Sequence, residues 1–158
     1  MGAQVPKPRA WQQWKQSGRM VLLAAFEDSS TGNRIKEYCQ ELSRDLGEEC
    51  LIVEHVWLFN TFRLRELREI AAEEASASDL VIISMHQNHS LPEEVKGWIN
   101  LWLRPTVRHP AALLALFDAE EEQSPSQIQA YLQKVAKQGS MEFLVEANGS
   151  PEGRWQSK

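Results

Sequence analysis

Long apolar runs are missing from this sequence: no segment approaches the roughly 20 consecutive apolar residues that a bilayer-spanning helix requires, so no membrane partner is expected. A surplus of basic residues is missing as well. With 17 Lys and Arg against 22 Asp and Glu, the formal net charge is −5. That balance argues against nucleic acid or an anionic lipid surface, both of which select a basic patch. Cysteine is scarce, with Cys39 and Cys50 the 2 present among 158 residues. Neither stands at metal-ligand spacing from the other, and a reduced, cytoplasmic setting is the simplest expectation. Residues 1–9 carry no apolar core of the kind a signal peptide has. No Gly-x-Ser-x-Gly elbow presents Ser84 or Ser90 as a nucleophile, and no Ser–His–Asp or Cys–His arrangement is readable, so no catalytic residue is assigned.

What is present is an ordinary globular composition, 42% hydrophobic and 25% charged, in a chain long enough for one domain with a sizeable interior. Five apolar segments recur, at 20–26, 50–57, 80–85, 111–117 and 141–146. Helical periodicity separates them. Ile35, Cys39, Leu42 and Leu46 fall on one helix face, with Gly47 as a stop. A second helix over about 64–77 is expected to bury Leu64, Leu67, Ala71 and Ala75. A third opens at Pro92-Glu93-Glu94, where proline and acids suit a first turn, and carries Val95, Trp98, Ile99 and Trp102. A fourth has Ser124 as N-cap, Ile128, Tyr131, Leu132 and Val135 on its apolar face, and Gly139 beyond its end. Strand alternating with helix predicts a parallel sheet in a three-layer, doubly wound α/β sandwich, with strand order 2-1-3-4-5. Right-handed crossovers put the first of these helices on one face and the other three on the opposite face.

One layer is incomplete. From residue 147 the chain reads as a flexible tail (147–158) without a helical stripe, so the usual last helix is missing. Residues 1–18 offer a substitute, because Trp11 and Trp14 fall on one side of a short helix. They are expected to pack on the sheet of the 19–146 domain where the last helix would lie; the alternative is that a second copy covers that face.

In such a sheet the ligand crevice lies beyond the strand carboxyl ends, between the first and third strands. The residues that follow the first strand there, Ser29-Ser30-Thr31-Gly32-Asn33, resemble the Ser/Thr-x-Thr-Gly-Asn-Thr phosphate loop of flavodoxins. The resemblance extends at fold level over about 21–146, including 78–84 as the third strand and the Leu91-Pro92-Glu93-Glu94 turn. It implies Ser29, Thr31 and Asn33 as phosphate contacts, Gly32 as the place of close backbone approach, and FMN as the ligand. Arg34 stands where the family has threonine and is a charge-assisted phosphate donor in that reading. His86 would be the flat ring available for stacking, since the loops after strands three and four hold no aromatic residue and the latter carries Glu120–Glu122.

Other readings of these loops remain. Ser, Thr and Asp prefer helix N-caps with or without a ligand, and capping is the favoured account of the cluster. Glu27-Asp28 resembles the acidic pair of receiver domains, but strands three and five end without the aspartate and lysine that phosphotransfer needs. His86 and His89, with Asp118, would give at most a partial metal-ligand set, so no metal site is assigned. His55 reads as a core or edge histidine. The sequence therefore favours a binding, interaction or regulatory module, degenerate and receiver-like or self-associating, whose partner is a protein or a second copy. The alternative is an FMN-type redox domain using the 29–33 loop. An enzyme acting on a nucleotide, with Glu27 or Glu94 as acid or base, is the weakest reading.

Overall fold

Continuous apolar runs become strands here because both of their faces are covered. The computed structural model describes residues 7–86, 89–104, 108–117 and 127–147. In chain order these form α1 (Trp11–Ser17), β1 (Arg19–Phe26), α2 (Ser29–Leu46), β2 (Leu51–Leu58), a 3-10 turn (Phe59–Arg63), α3 (Arg65–Ser76), β3 (Leu80–Met85), α4 (Glu93–Trp102), β4 (Ala112–Phe117), α5 (Gln127–Gln138) and β5 (Glu142–Ala147). The five strands make one parallel sheet in the order β2-β1-β3-β4-β5. This is the expected three-layer, flavodoxin-like or Rossmann-like α/β architecture. Among the described residues no helix follows β5, and none is long and apolar enough to cross a membrane. The expected N-cap Ser124 lies outside the described residues, as does most of the tail.

Side chains alternate along each strand and sort into two cores. Leu23, Ala25, Val81, Ile83, Leu113 and Ala115 join α3, α4 and α5 on one face. Met20, Leu22, Ala24, Ile82 and Leu114 join Ile35, Cys39, Leu42 and Leu46 of α2 on the other. Trp14 of α1 is 5% exposed and sits in this second core, with Ala10, Trp11 and Leu144 packed against it. The segment before α1 reaches both neighbours of that face: Lys7 pairs with Asp45 at 3.1 Å, and the Arg9 amide donates to Glu142 Oε1 at 2.7 Å.

On β5 the residues that alternate with Leu144 on the α2 side are Glu142 and Glu146, by register with Ala112 and Leu116. A strand with solvent on part of one face alternates in this way, which a fully covered strand such as Leu80–Met85 does not.

On the opposite face an aromatic series runs from β2 to α4. Trp57 lies 6.0 Å from Phe62, Phe62 stacks on Trp98 at 4.7 Å and 21°, and Trp98 meets Trp102 edge-on at 5.7 Å. The 3-10 turn that supplies Phe59 and Phe62 corrects one expectation. The periodicity predicts Leu64 on the buried face of the second helix, but it is 58% exposed. It caps α3 from outside in an extended conformation, and Phe62 takes the core position instead.

The edge strand β2 differs from the other strands. Among the described residues it pairs with β1 alone. Leu51 is 60%, Val56 48% and Leu58 38% exposed. His55 is half-buried, with Nδ1 3.6 Å from Glu74, in keeping with an edge position.

Candidate functional site

The turn after β1 is organised by Asp28, the N-cap of α2. Its Oδ1 accepts from the Thr31 amide at 3.1 Å. The Thr31 hydroxyl reaches back to accept from the Glu27 and Asp28 amides, both at 2.9 Å, and donates to the Asp28 carbonyl at 3.0 Å. This capping box occupies the donor and both acceptor positions of the hydroxyl, and Thr31 is 1% exposed. Ser29 and Ser30 are exposed in the first turn, as is Asn33 one turn on. A Cβ at Gly32 would stand 3.0 Å from the Phe26 ring, so an aromatic ring, not a ligand, makes the close approach there. Arg34 donates to the Phe117 carbonyl at 2.6 Å and lies 3.5 Å from Glu146, tying α2 to the ends of β4 and β5.

The residues present do not fit an FMN phosphate of the flavodoxin kind. The Asp28 carboxylate holds the helix N-terminus where the anion would lie, Thr31 is spent on the cap, and Arg34 is turned to the strand ends. His86 joins the cluster by its Nε2, 2.7 Å from Asp28 Oδ2, rather than standing free to stack.

Beside this box lies a second histidine–carboxylate pair. Glu27 accepts from the His86 amide at 3.0 Å through Oε1 and meets His89 Nδ1 at 2.6 Å through Oε2. The two imidazole rings are 4.9 Å apart. The acidic pair after β1 thus engages the two histidines after β3 across the crevice. Among the described residues, no group of three or more His, Cys, Asp or Glu is arranged to hold a metal ion. Asp118 and Glu120–Glu122 lie outside the described residues. Burial pushes the Asp28 carboxyl up, but the Thr31 amide and His86 outweigh it and hold the group below its ordinary value.

That lowered value has a testable sign. A carboxylate favoured by the folded state adds stability in full above about pH 4, and the contribution is lost as pH falls through the native value. Asp28→Ala should cost about 0.5–2 kcal/mol, the range for a lost N-cap. Urea melts at neutral and acid pH should show the deficit shrinking toward acid. A deficit independent of pH would mean that the cap acts through shape alone.

The two thiols are inert by placement. Cys39 and Cys50 are both free and buried. Burial, with Glu54 adding to it, pushes the Cys39 thiol up to about 12, and burial raises Cys50 too.

The geometry defines a three-layer α/β sandwich of flavodoxin-like or Rossmann-like architecture, with a capping box at the turn after β1. Comparison with family models, curated proteins and solved structures found no match to the chain.

Proposed function

We propose that this domain is an interaction module that binds an extended segment of a partner protein by strand addition at β2. The observation that carries the reading is the edge itself: an eight-residue outer strand with three large apolar side chains in solvent. It has neither proline nor lysine, the residues that ordinarily blunt such an edge. Backbone pairing would supply affinity, and alternate side chains would select the partner.

Charge selects the chemistry of that partner. Glu48 and Glu49 precede the strand and Glu54 lies within it, all exposed. On α3, Glu66, exposed Ile70 and Glu73 share a face with Glu74, whose carboxylate accepts from Trp57 Nε1 at 2.8 Å and so directs that face toward β2. Exposed Arg19 and Arg63 are outnumbered. A second copy is disfavoured. Antiparallel pairing of two β2 strands with Val56 opposite Ile52 sets Glu54 opposite Glu54, a like-charge contact. An apolar strand carrying lysine or arginine fits better.

The test uses a peptide of alternating valine and lysine and a scrambled peptide of the same charge, read by Trp57 fluorescence and amide chemical shifts. The ordered peptide should bind more tightly than the scrambled one. Salt should weaken that binding, and Val56→Lys should abolish it. Equal binding of both peptides, or binding insensitive to Val56→Lys, would overturn the edge reading. A concentration-dependent dimer mass without peptide would assign the edge to a second copy.

A further inference from the structure

We infer that a separate cleft, between the turn after β3 and the first turn of α5, binds a small carboxylic acid with a flat or aliphatic body. The cleft has a volume of about 480 Å³, within the range of small-molecule sites. It lies on the α4–α5 side of the sheet and shares no residue with the β2 edge, so it is independent of strand addition.

Its lining is divided by chemistry. Leu91 and Ile128, 4% and 8% exposed, join the half-buried Tyr131 as an apolar wall. Two nitrogen groups, His89 and Lys96, line the same cleft. The imidazole is oriented from behind. Glu27 meets Nδ1 at 2.6 Å and is itself fixed by the His86 amide at 3.0 Å. With Nδ1 donating to that carboxylate, Nε2 of the neutral ring is an acceptor, so the charge of a ligand carboxylate is met by Lys96 and His89 lines the cleft beside it. A carboxylate-backed imidazole is held in place without consuming its second nitrogen, the arrangement by which proteins orient histidines toward ligands.

The ammonium of Lys96 lies 5.5 Å from the centre of the Tyr131 ring, whose π face holds the cation beside the apolar wall. Its ion pair with Glu93 is loose, 3.8 Å to a side chain that is 90% exposed, and exposed pairs of this kind are easily exchanged. An incoming carboxylate would therefore find a cation already positioned but weakly engaged. The apolar wall would take the body of the same molecule. Neither an inorganic anion nor a neutral hydrocarbon satisfies both halves.

The probe is benzoate, with acetate as the head alone and benzyl alcohol as the body alone, titrated against the full chain by amide chemical shifts. Benzoate should bind with a dissociation constant of ~1–10 mM, ordinary for so few atoms. Its shifts should centre on His89, Lys96 and Tyr131, with acetate and benzyl alcohol each about tenfold weaker. Lys96→Gln, on an accessible side chain, should keep the fold and weaken benzoate about tenfold, as expected for a lost charge-assisted bond. Shifts elsewhere, no shift at these residues, or equal affinity of Lys96→Gln would each overturn the inference. Equal binding of acetate and benzoate would do so as well, because the wall would then contribute nothing.

Discussion

Removing residues 1–18 should lower the unfolding free energy by about 3–5 kcal/mol, the cost typical of losing one large core aromatic. Trp14 is the reason. It is 5% exposed, packs with Met20, Leu46 and Cys50 in the α2-side core, and its carbonyl accepts from the Cys50 thiol at 3.5 Å. The ion pairs of the same segment, Lys7 with Asp45 and Arg9 with Glu142, are at least partly exposed and add little. Against a typical total of 5–15 kcal/mol such a loss is large. Urea titration of the truncated chain checks it, with Trp14→Ala beside it. If the truncated protein melts where the full one does, the N-terminal segment is not part of the domain's core. If only the truncation is costly, backbone and not indole burial is responsible.

Trp98→Ala should cost a comparable 3–5 kcal/mol, and Trp98→Phe much less. Trp98 has no exposed surface, stacks on Phe62 at 4.7 Å and supports Trp102 at 5.7 Å. Truncation to alanine opens a cavity in the middle of that series. Phenylalanine keeps a ring against Phe62 and also removes a burden. The Trp98 and Trp102 indole N–H groups are buried with no hydrogen-bond partner among the described residues, and an unsatisfied buried donor costs about 1–3 kcal/mol. The gap between the two substitutions, measured by urea denaturation, reports how much of the Trp98 contribution is packing. Equal losses would show that the six-membered ring alone cannot fill the site.

The strands and their order were legible because runs such as Leu80–Met85 are apolar on both faces, and alternation with helices leaves few topologies. Capping was legible in kind, since Ser, Thr and Asp cluster at a strand end, but the sequence did not single out Asp28 and Thr31 as the two residues that form the box. Other features need distance to be seen. Glu27 and His89 are 62 residues apart in the chain, and no local pattern marks them as partners. Arg34 reads locally as a misfit in a phosphate loop. Its role depends on where β4 and β5 end, 83 residues beyond it in the case of Phe117. Leu64 was misread because the turn holding Phe59 and Phe62 has no apolar periodicity of its own. The edge position of β2 was partly legible: the order 2-1-3-4-5 places it outermost, and 50–57 carries Glu54 and His55 where 80–85 carries no charge.

The sheet order also governs how the chain reaches this state. Leu22 must find Leu80 to complete the centre of the sheet, while Arg19 finds Leu51 much sooner along the chain. The β1–β2 pair is therefore the more local contact, and β3 closes the sheet across a longer loop. Parallel pairings at such separations slow folding. Throughout that delay β1 carries an open side where β3 belongs, next to an outer strand that among the described residues pairs on one side alone. Refolding yield should accordingly fall with protein concentration more steeply than native stability alone would suggest, with intermolecular strand pairing as the competing route.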